Sequence, residues 1–203
     1  MYKAIISAVL FIIAAVIIRF PAVQSVDVNI LQAVEIIRQP FLTQLFNMVT
    51  HLGSGKIILP LLLLLTAILA VYKKAGASLY VYLLFFAERM ANEGLKDWIS
   101  RERPSLSPLI SETSFSFPSG HSMNAAAMYP FIAYLLLTHV PFFKKRRTSV
   151  MVWTGVLITL VGFSRMYLGV HYTTDVIGGV SLGFALFVIF GKIAENFPLV
   201  RQK

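Results

Sequence analysis

His171 and Asp175 stand four residues apart, so on a helix they share one face and the carboxylate can accept the imidazole Nδ1 proton. That fixes the tautomer and leaves Nε2 free to act as nucleophile or general base. Arg165, across a tight turn from His171, offers a fork of donors matched to phosphate oxygens and never loses its charge. In Pro118-Ser119-Gly120-His121, the proline stops a loop, the serine is a good helix N-cap, and the glycine lets a ligand approach the first amides of a helix, where an anion is favoured. His121 in the first turn can protonate a leaving oxygen. Lys96 and Arg103, seven apart, share a face if their helix continues to Pro104, and both can then reach one anion. Arg101 is out of phase with them and is expected in water or among lipid headgroups. Glu93, three residues before Lys96, is expected to balance its charge.

The rest of the chain explains why these groups stand out. It has 203 residues, 57% of them hydrophobic, with a mean hydropathy of +0.75, a composition that belongs in a bilayer and not in water. Charge gathered in such a chain marks function. Apolar runs of roughly the 20 residues that span a membrane occur at about Lys3 to Phe20, Ile57 to Tyr72, Ala77 to Ile99, His121 to Val140, Ser149 to Tyr167 and His171 to Ile193. The predicted fold is all-α, a single domain over 1–203 with about six transmembrane helices. Between the first two runs, Asp27 to Thr50 mixes Ile30, Val34, Ile37 and Phe41 with Asn29, Glu35 and Arg38, which reads as one amphipathic helix on the membrane surface. The first run lacks a small-residue cleavage site near Gln24 and is expected to stay as a helix.

With no cysteine, neither a disulfide framework nor a thiolate metal site is available. The net charge of +9 comes in short runs without an aromatic-interleaved basic face, which argues against nucleic acid. Lys3, Lys73, Lys74, Lys144 to Arg147, Lys192, Arg201 and Lys203 fall on one side if six helices alternate, and that side is the cytoplasm. Lys96, Arg103, His121, Arg165 and His171 lie opposite, with Asp27, Glu35, Glu102 and Glu112, so the site is expected to face the extracytoplasmic side.

The three segments fit the patterns K-x6-RP, PSGH and SR-x5-H-x3-D at every specified position. In this the chain resembles the type 2 phosphatidic acid phosphatase superfamily, and in particular its small bacterial integral-membrane members. The resemblance implies that His171 becomes phosphorylated, Asp175 orients it and His121 is the general acid. Lys96, Arg103, Ser119, Gly120 and Arg165 would hold the phosphate oxygens. It implies no cofactor and no metal, in keeping with the absence of a carboxylate cluster for magnesium. The substrate would be a membrane lipid phosphate whose tail stays in the bilayer: phosphatidylglycerophosphate, undecaprenyl pyrophosphate, phosphatidic acid and short prenyl pyrophosphates all fit. A phosphotransferase on the same scaffold and a non-catalytic lipid-phosphate transporter are the competing readings.

Other features carry less. Gly53-Ser54-Gly55-Lys56 ends like a nucleotide-binding loop, but Thr50 replaces its first glycine, Ile57 follows the lysine, and no strand precedes it. Gly155, Gly162, Gly169, Gly179 and Gly183 are expected at close helix contacts within a monomer. His51 and His139 are expected in loops or interfaces, and Trp98, Phe115, Phe117 and Tyr167 as interfacial anchors.

Overall fold

The computed structural model describes residues 1–196 and is helical, with no strand among them; Arg201 and Lys203, expected to be cytoplasmic, lie outside the described residues. In chain order the helices are α1 (Tyr2–Ile17), α2 (Pro21–Ile36), α3 (Pro40–Leu52), α4 (Gly55–Val71), α5 (Leu79–Ile99), α6 (Gly120–His139), the short α7 (Pro141–Lys144), α8 (Arg147–Tyr167) and α9 (Thr173–Asn196). A 3-10 turn, Ala75–Ser78, leads into α5. α8 and α9 are each long and apolar enough to cross a bilayer. α1 with α2 and α3 with α4 meet that test as pairs, bent at their junctions by 98° and 53°.

The predicted single surface helix from Asp27 to Thr50 is in fact two, α2 and α3, broken between Ile36 and Pro40. Proline explains the break: it starts each helix at N1, where its missing N–H costs nothing. Nor is this segment confined to the surface, since Asp27 is only 1% exposed and α3 packs on α8.

α6 and α9 form the axis, with α1 on one side of α9 and α5 and α8 on the sides of α6. Small residues allow the central contact. A Cβ on Gly179 would meet the Ser119 carbonyl and one on Gly183 the Met123 carbonyl, so the two backbones touch. Gly162 packs as closely on Val176, whereas Gly155 faces open space and its expected contact is absent. On the outside, Ile5, Ile6, Val9, Ile12 and Ile13 of α1 are exposed apolar residues, a surface suited to lipid. Trp98 and Phe115 are exposed as expected of anchors, but Phe117 and Tyr167 are wholly buried, Phe117 against Phe11 and Tyr167 against Phe46.

α5 has a different character. Glu88, Asn92 and Lys96 recur every four residues and are all buried, a polar stripe turned inward. The helix stops at Ile99, with Ser100 in the left-handed region at φ 52°, so it does not continue to Pro104. Arg103 reaches the site from the following loop.

Candidate active site

The α5–α6 loop, the α8–α9 turn and the first turn of α6 meet around one cavity of about 740 Å³, lined by Lys96, Arg103, Glu112, Gly120, His121, Arg165 and His171 among others. The α8–α9 turn is made possible by Gly169, whose φ of +73° is one that a side chain disfavours. It brings His171 back over the end of α8 two residues before α9 begins; the expected position at the start of the helix is thus shifted into the turn. Asp175, in the first turn of α9, still reaches it.

Asp175 is the hub. Its Oδ2 lies 3.4 Å from His171 Nδ1 and accepts from Ser116 Oγ at 2.5 Å and the Tyr172 amide at 2.8 Å. Its Oδ1 accepts from Arg101 at 2.5 Å. Arg101 also bonds Asp27 Oδ2 at 2.8 Å and lies over the Tyr172 ring at 4.2 Å. Asp27 in turn accepts from the Thr174 amide and hydroxyl. Arg101 is therefore neither solvated nor among headgroups. Once α5 ends at Ile99 the helical phase no longer applies, and a buried carboxylate pair requires a cation.

On the other side of the imidazole, His171 Nε2 is 3.3 Å from Arg103 Nη1. Arg103 is itself fixed, donating to the carbonyls of Val170 at 2.8 Å and Ser114 at 2.6 Å. Lys96 Nζ donates to Ser114 Oγ at 2.8 Å, so one loop serine ties both cations. Glu93 does not balance Lys96; it lies 3.9 Å from Arg89. Arg165, 1% exposed, donates to Thr50 Oγ1 at 2.7 Å and to the Glu112 carboxylate, which is also 3.9 Å from Arg103. Arg165 Nε has no partner.

Electrostatics follow from this geometry. Burial pushes the His171 imidazole down to about 4, against the opposing hydrogen bond to Asp175, so it is neutral at pH 7 with Nε2 available. Burial alone would raise Glu112, but Arg165 and Arg103 outweigh it and hold the carboxyl below its ordinary value. Ser119 occupies the N-cap position of α6, yet its hydroxyl meets Ser122 Oγ at 2.9 Å instead of capping an amide. Its own amide donates to the Asp175 carbonyl at 3.0 Å. Gly120 must stay small because a Cβ there would press on Asn92 Oδ1 at 2.9 Å.

Six of the eight expected residues, Lys96, Arg103, Gly120, His121, Arg165 and His171, line the cavity. Asp175 and Ser119 stand directly behind them. Sequence reasoning missed Ser116, Arg101, Asp27 and Glu112. Asp27 could have been found: an acid within an apolar stretch calls for a buried partner. His51 lies in α3 and lines the cavity; His139, in the last turn of α6, is buried with neither ring nitrogen bonded. No group of His, Cys, Asp or Glu among the described residues could hold a metal ion.

A helical bundle that gathers two histidines, an aspartate and three cations at one end is the arrangement of a membrane phosphatase, and the comparisons agree. The PAP2 superfamily pattern matches residues 75–197; the chain belongs to this superfamily. It is 46% identical over all 203 residues to phosphatidylglycerophosphatase B of Bacillus subtilis (strain 168), covering the whole of both chains. It superposes on the crystal structure of the transmembrane PAP2 type phosphatidylglycerolphosphate phosphatase from Bacillus subtilis with a TM-score of 0.95, covering 99% of this chain and 100% of that one at 46% identity. Aquifex aeolicus LpxE is similar with a TM-score of 0.64 and 25% identity, over 81% of this chain and 94% of that one. The protein is thus a multi-pass membrane hydrolase of phosphate esters.

Proposed function

We propose that the protein removes a phosphate from a membrane lipid through a phosphohistidine on His171, with phosphatidylglycerophosphate as the first substrate to test. The observation that carries this reading is the placement of His171: Nδ1 toward the Asp175 carboxylate, Nε2 toward Arg103 and the cavity. Nε2 attacks phosphorus and the ester P–O bond breaks. His121 gives a proton to the departing oxygen. Water, losing its proton to His121, then cleaves the P–N bond, so phosphate and the two starting histidines are restored. Lys96, Arg103 and Arg165 offset the charge on the equatorial oxygens, where most of the rate enhancement arises.

In this reading six helices cross the bilayer, the chain acts as a single monomeric domain, and the site opens to the extracytoplasmic side. The basic loops Lys73–Lys74 and Lys144–Arg147 at the opposite end support that orientation. Purified protein should release phosphate from the lipid panel in excess chelator and without added acceptor, and acid quench should trap a phosphoenzyme that His171→Ala lacks. Turnover only with magnesium, or only with an acceptor, would overturn the hydrolytic, metal-independent mechanism. A cysteine at Ser107 should react with an impermeant thiol reagent on intact cells and one at Ser149 should not; the reverse pattern would put the site in the cytoplasm.

A further inference from the structure

The cavity extends beyond the groups that act on phosphorus. Its remaining wall is the junction of α3 and α4, with His51, Ser54, Gly55 and Lys56, facing Glu88, Arg89, Asn92 and Glu93 of α5. Arg89 precedes Lys96 by seven residues, about 10 Å along the helix, and occupies the same general face. It sits in mid-helix, and in the six-span reading above an arginine at that depth marks a functional position. Its partners inside the protein are weak: Glu93 at 3.9 Å, with Arg89 48% exposed, and the Phe85 ring at 5.7 Å.

The start of α4 lies close to this guanidinium. A Cβ on Gly55 would lie 2.7 Å from Arg89 Nη1. The adjacent N-cap, Ser54, turns its hydroxyl to the His51 carbonyl at 2.7 Å and caps none of the α4 amides. Lys56, the Arg89 guanidinium and an uncapped helix N-terminus therefore converge, all of the same electrostatic sign. Glu93, 3.9 Å from Arg89 and largely exposed, is a loose counter-ion that leaves room for a second anion. Beside it Glu88 is only 2% exposed, lines the cavity, and makes no hydrogen bond or ion pair with another described residue. A buried carboxyl without a protein partner is satisfied by what enters the cavity.

We propose that this end of the cavity is a second anion subsite, in which Lys56, Arg89 and the α4 N-terminus bind a phosphodiester carried by the same lipid whose terminal phosphate reaches His171, while Glu88 takes a hydroxyl on the bridge between them. The proposal rests on the phosphatase reading above and assigns the residues that would tell a lipid with two separated phosphates from one with a single phosphate. A single-phosphate lipid fills only one end. A pyrophosphate, whose phosphorus atoms share one oxygen, is too short to reach from Lys96 to Arg89.

The test compares the wild type with Lys56→Gln, Arg89→Gln and the double variant in neutral-detergent micelles, on phosphatidylglycerophosphate, phosphatidic acid and p-nitrophenyl phosphate. Loss of two charge-assisted contacts should lower kcat/KM for the two-phosphate lipid by about 10- to 100-fold, mainly through KM, and change the other two substrates less than about threefold. Glu88→Gln should slow the lipid with a hydroxylated bridge more than its deoxy analogue. Equal losses on all three substrates, or no loss on the two-phosphate lipid, would overturn the subsite. So would a loss that arises only when anionic lipid is mixed into the micelles, since that assigns the cluster to bulk lipid. A wild type that turns over none of them refutes the phosphatase reading itself, and the subsite with it.

Discussion

The two ends of the cavity are built on opposite plans. At the end holding His171, nearly every charged group is held by the protein: Asp175 by Ser116, Arg101 and the Tyr172 amide, Arg103 by two carbonyls, Lys96 by Ser114. At the other, Lys56, Glu88 and Arg89 have almost no partners of their own. Groups that must meet a transition state are fixed before substrate arrives, because reorganising them would raise the barrier. Groups that only recognise can be completed by the ligand.

The largest effects should come from removing members of the fixed end. His171→Ala should abolish turnover, by at least about 10⁴-fold, while lipid binding measured by filtration or fluorescence persists because Lys96, Arg103 and Arg165 remain. Asp175→Asn, which frees the tautomer, should cost about 10³- to 10⁴-fold in kcat. Substantial phosphate release by His171→Ala would end the phosphohistidine mechanism.

Arg101→Gln tests whether rigidity at that end extends behind the imidazole. It leaves Asp27 and Asp175 buried without their shared cation, so stability should fall by about 3 kcal/mol, read as a lower Tm in detergent. Because Asp175 also loses the donor to its Oδ1, kcat should drop by about 10- to 100-fold. A lower Tm with unchanged kcat would reduce Arg101 to a scaffold.

A smaller effect concerns pH. Burial lowers His171 from the ordinary 6.5 to about 4, so its neutral, attacking form is present above pH 4 and is lost as pH falls through that value. Burial favours the neutral form, so the same shift makes the fold lose stability as pH drops from 6.5 toward 4. With a pyrophosphate lipid, whose leaving group depends least on proton donation, the acid limb of kcat/KM should lie well below 6. A limb at 6.5 would mean that the ring is solvated.

At the open end, Gly55→Ala should have the mildest effect, perturbing Arg89 and weakening only the two-phosphate lipid by about threefold.

How much of this was legible beforehand follows from distance along the chain. His171 with Asp175, and Ser119 with Gly120 and His121, are local patterns, and helix periodicity was enough to relate them. Lys96 and Arg103 do line one cavity, but not by helical phase, since α5 ends at Ile99 and the loop, not the helix, returns Arg103. The same break hid Arg101, whose partners are 74 residues away in either direction. Asp27 was concealed by the reading of its segment as a surface helix, when the 98° bend after α1 carries α2 against α9. The closeness of Gly55 to Arg89 depends on how two helices pack, which no local pattern states.

The ion pair between Arg165 and Glu112 has a consequence for the end of the cycle. Any phosphate that binds Arg165 must displace or share a carboxylate already seated there, so the resident anion competes with substrate and product alike. A lipid offsets that competition with its tail, which stays in the bilayer and keeps the headgroup returning. Inorganic phosphate has no such tether. In the proposed mechanism Glu112 would favour release: the detached product faces a rival that never leaves the chain, whereas the lipid's tether offsets the same competition. Glu112→Gln, which removes the rival charge, should therefore make free phosphate a stronger inhibitor, read as a lower inhibition constant.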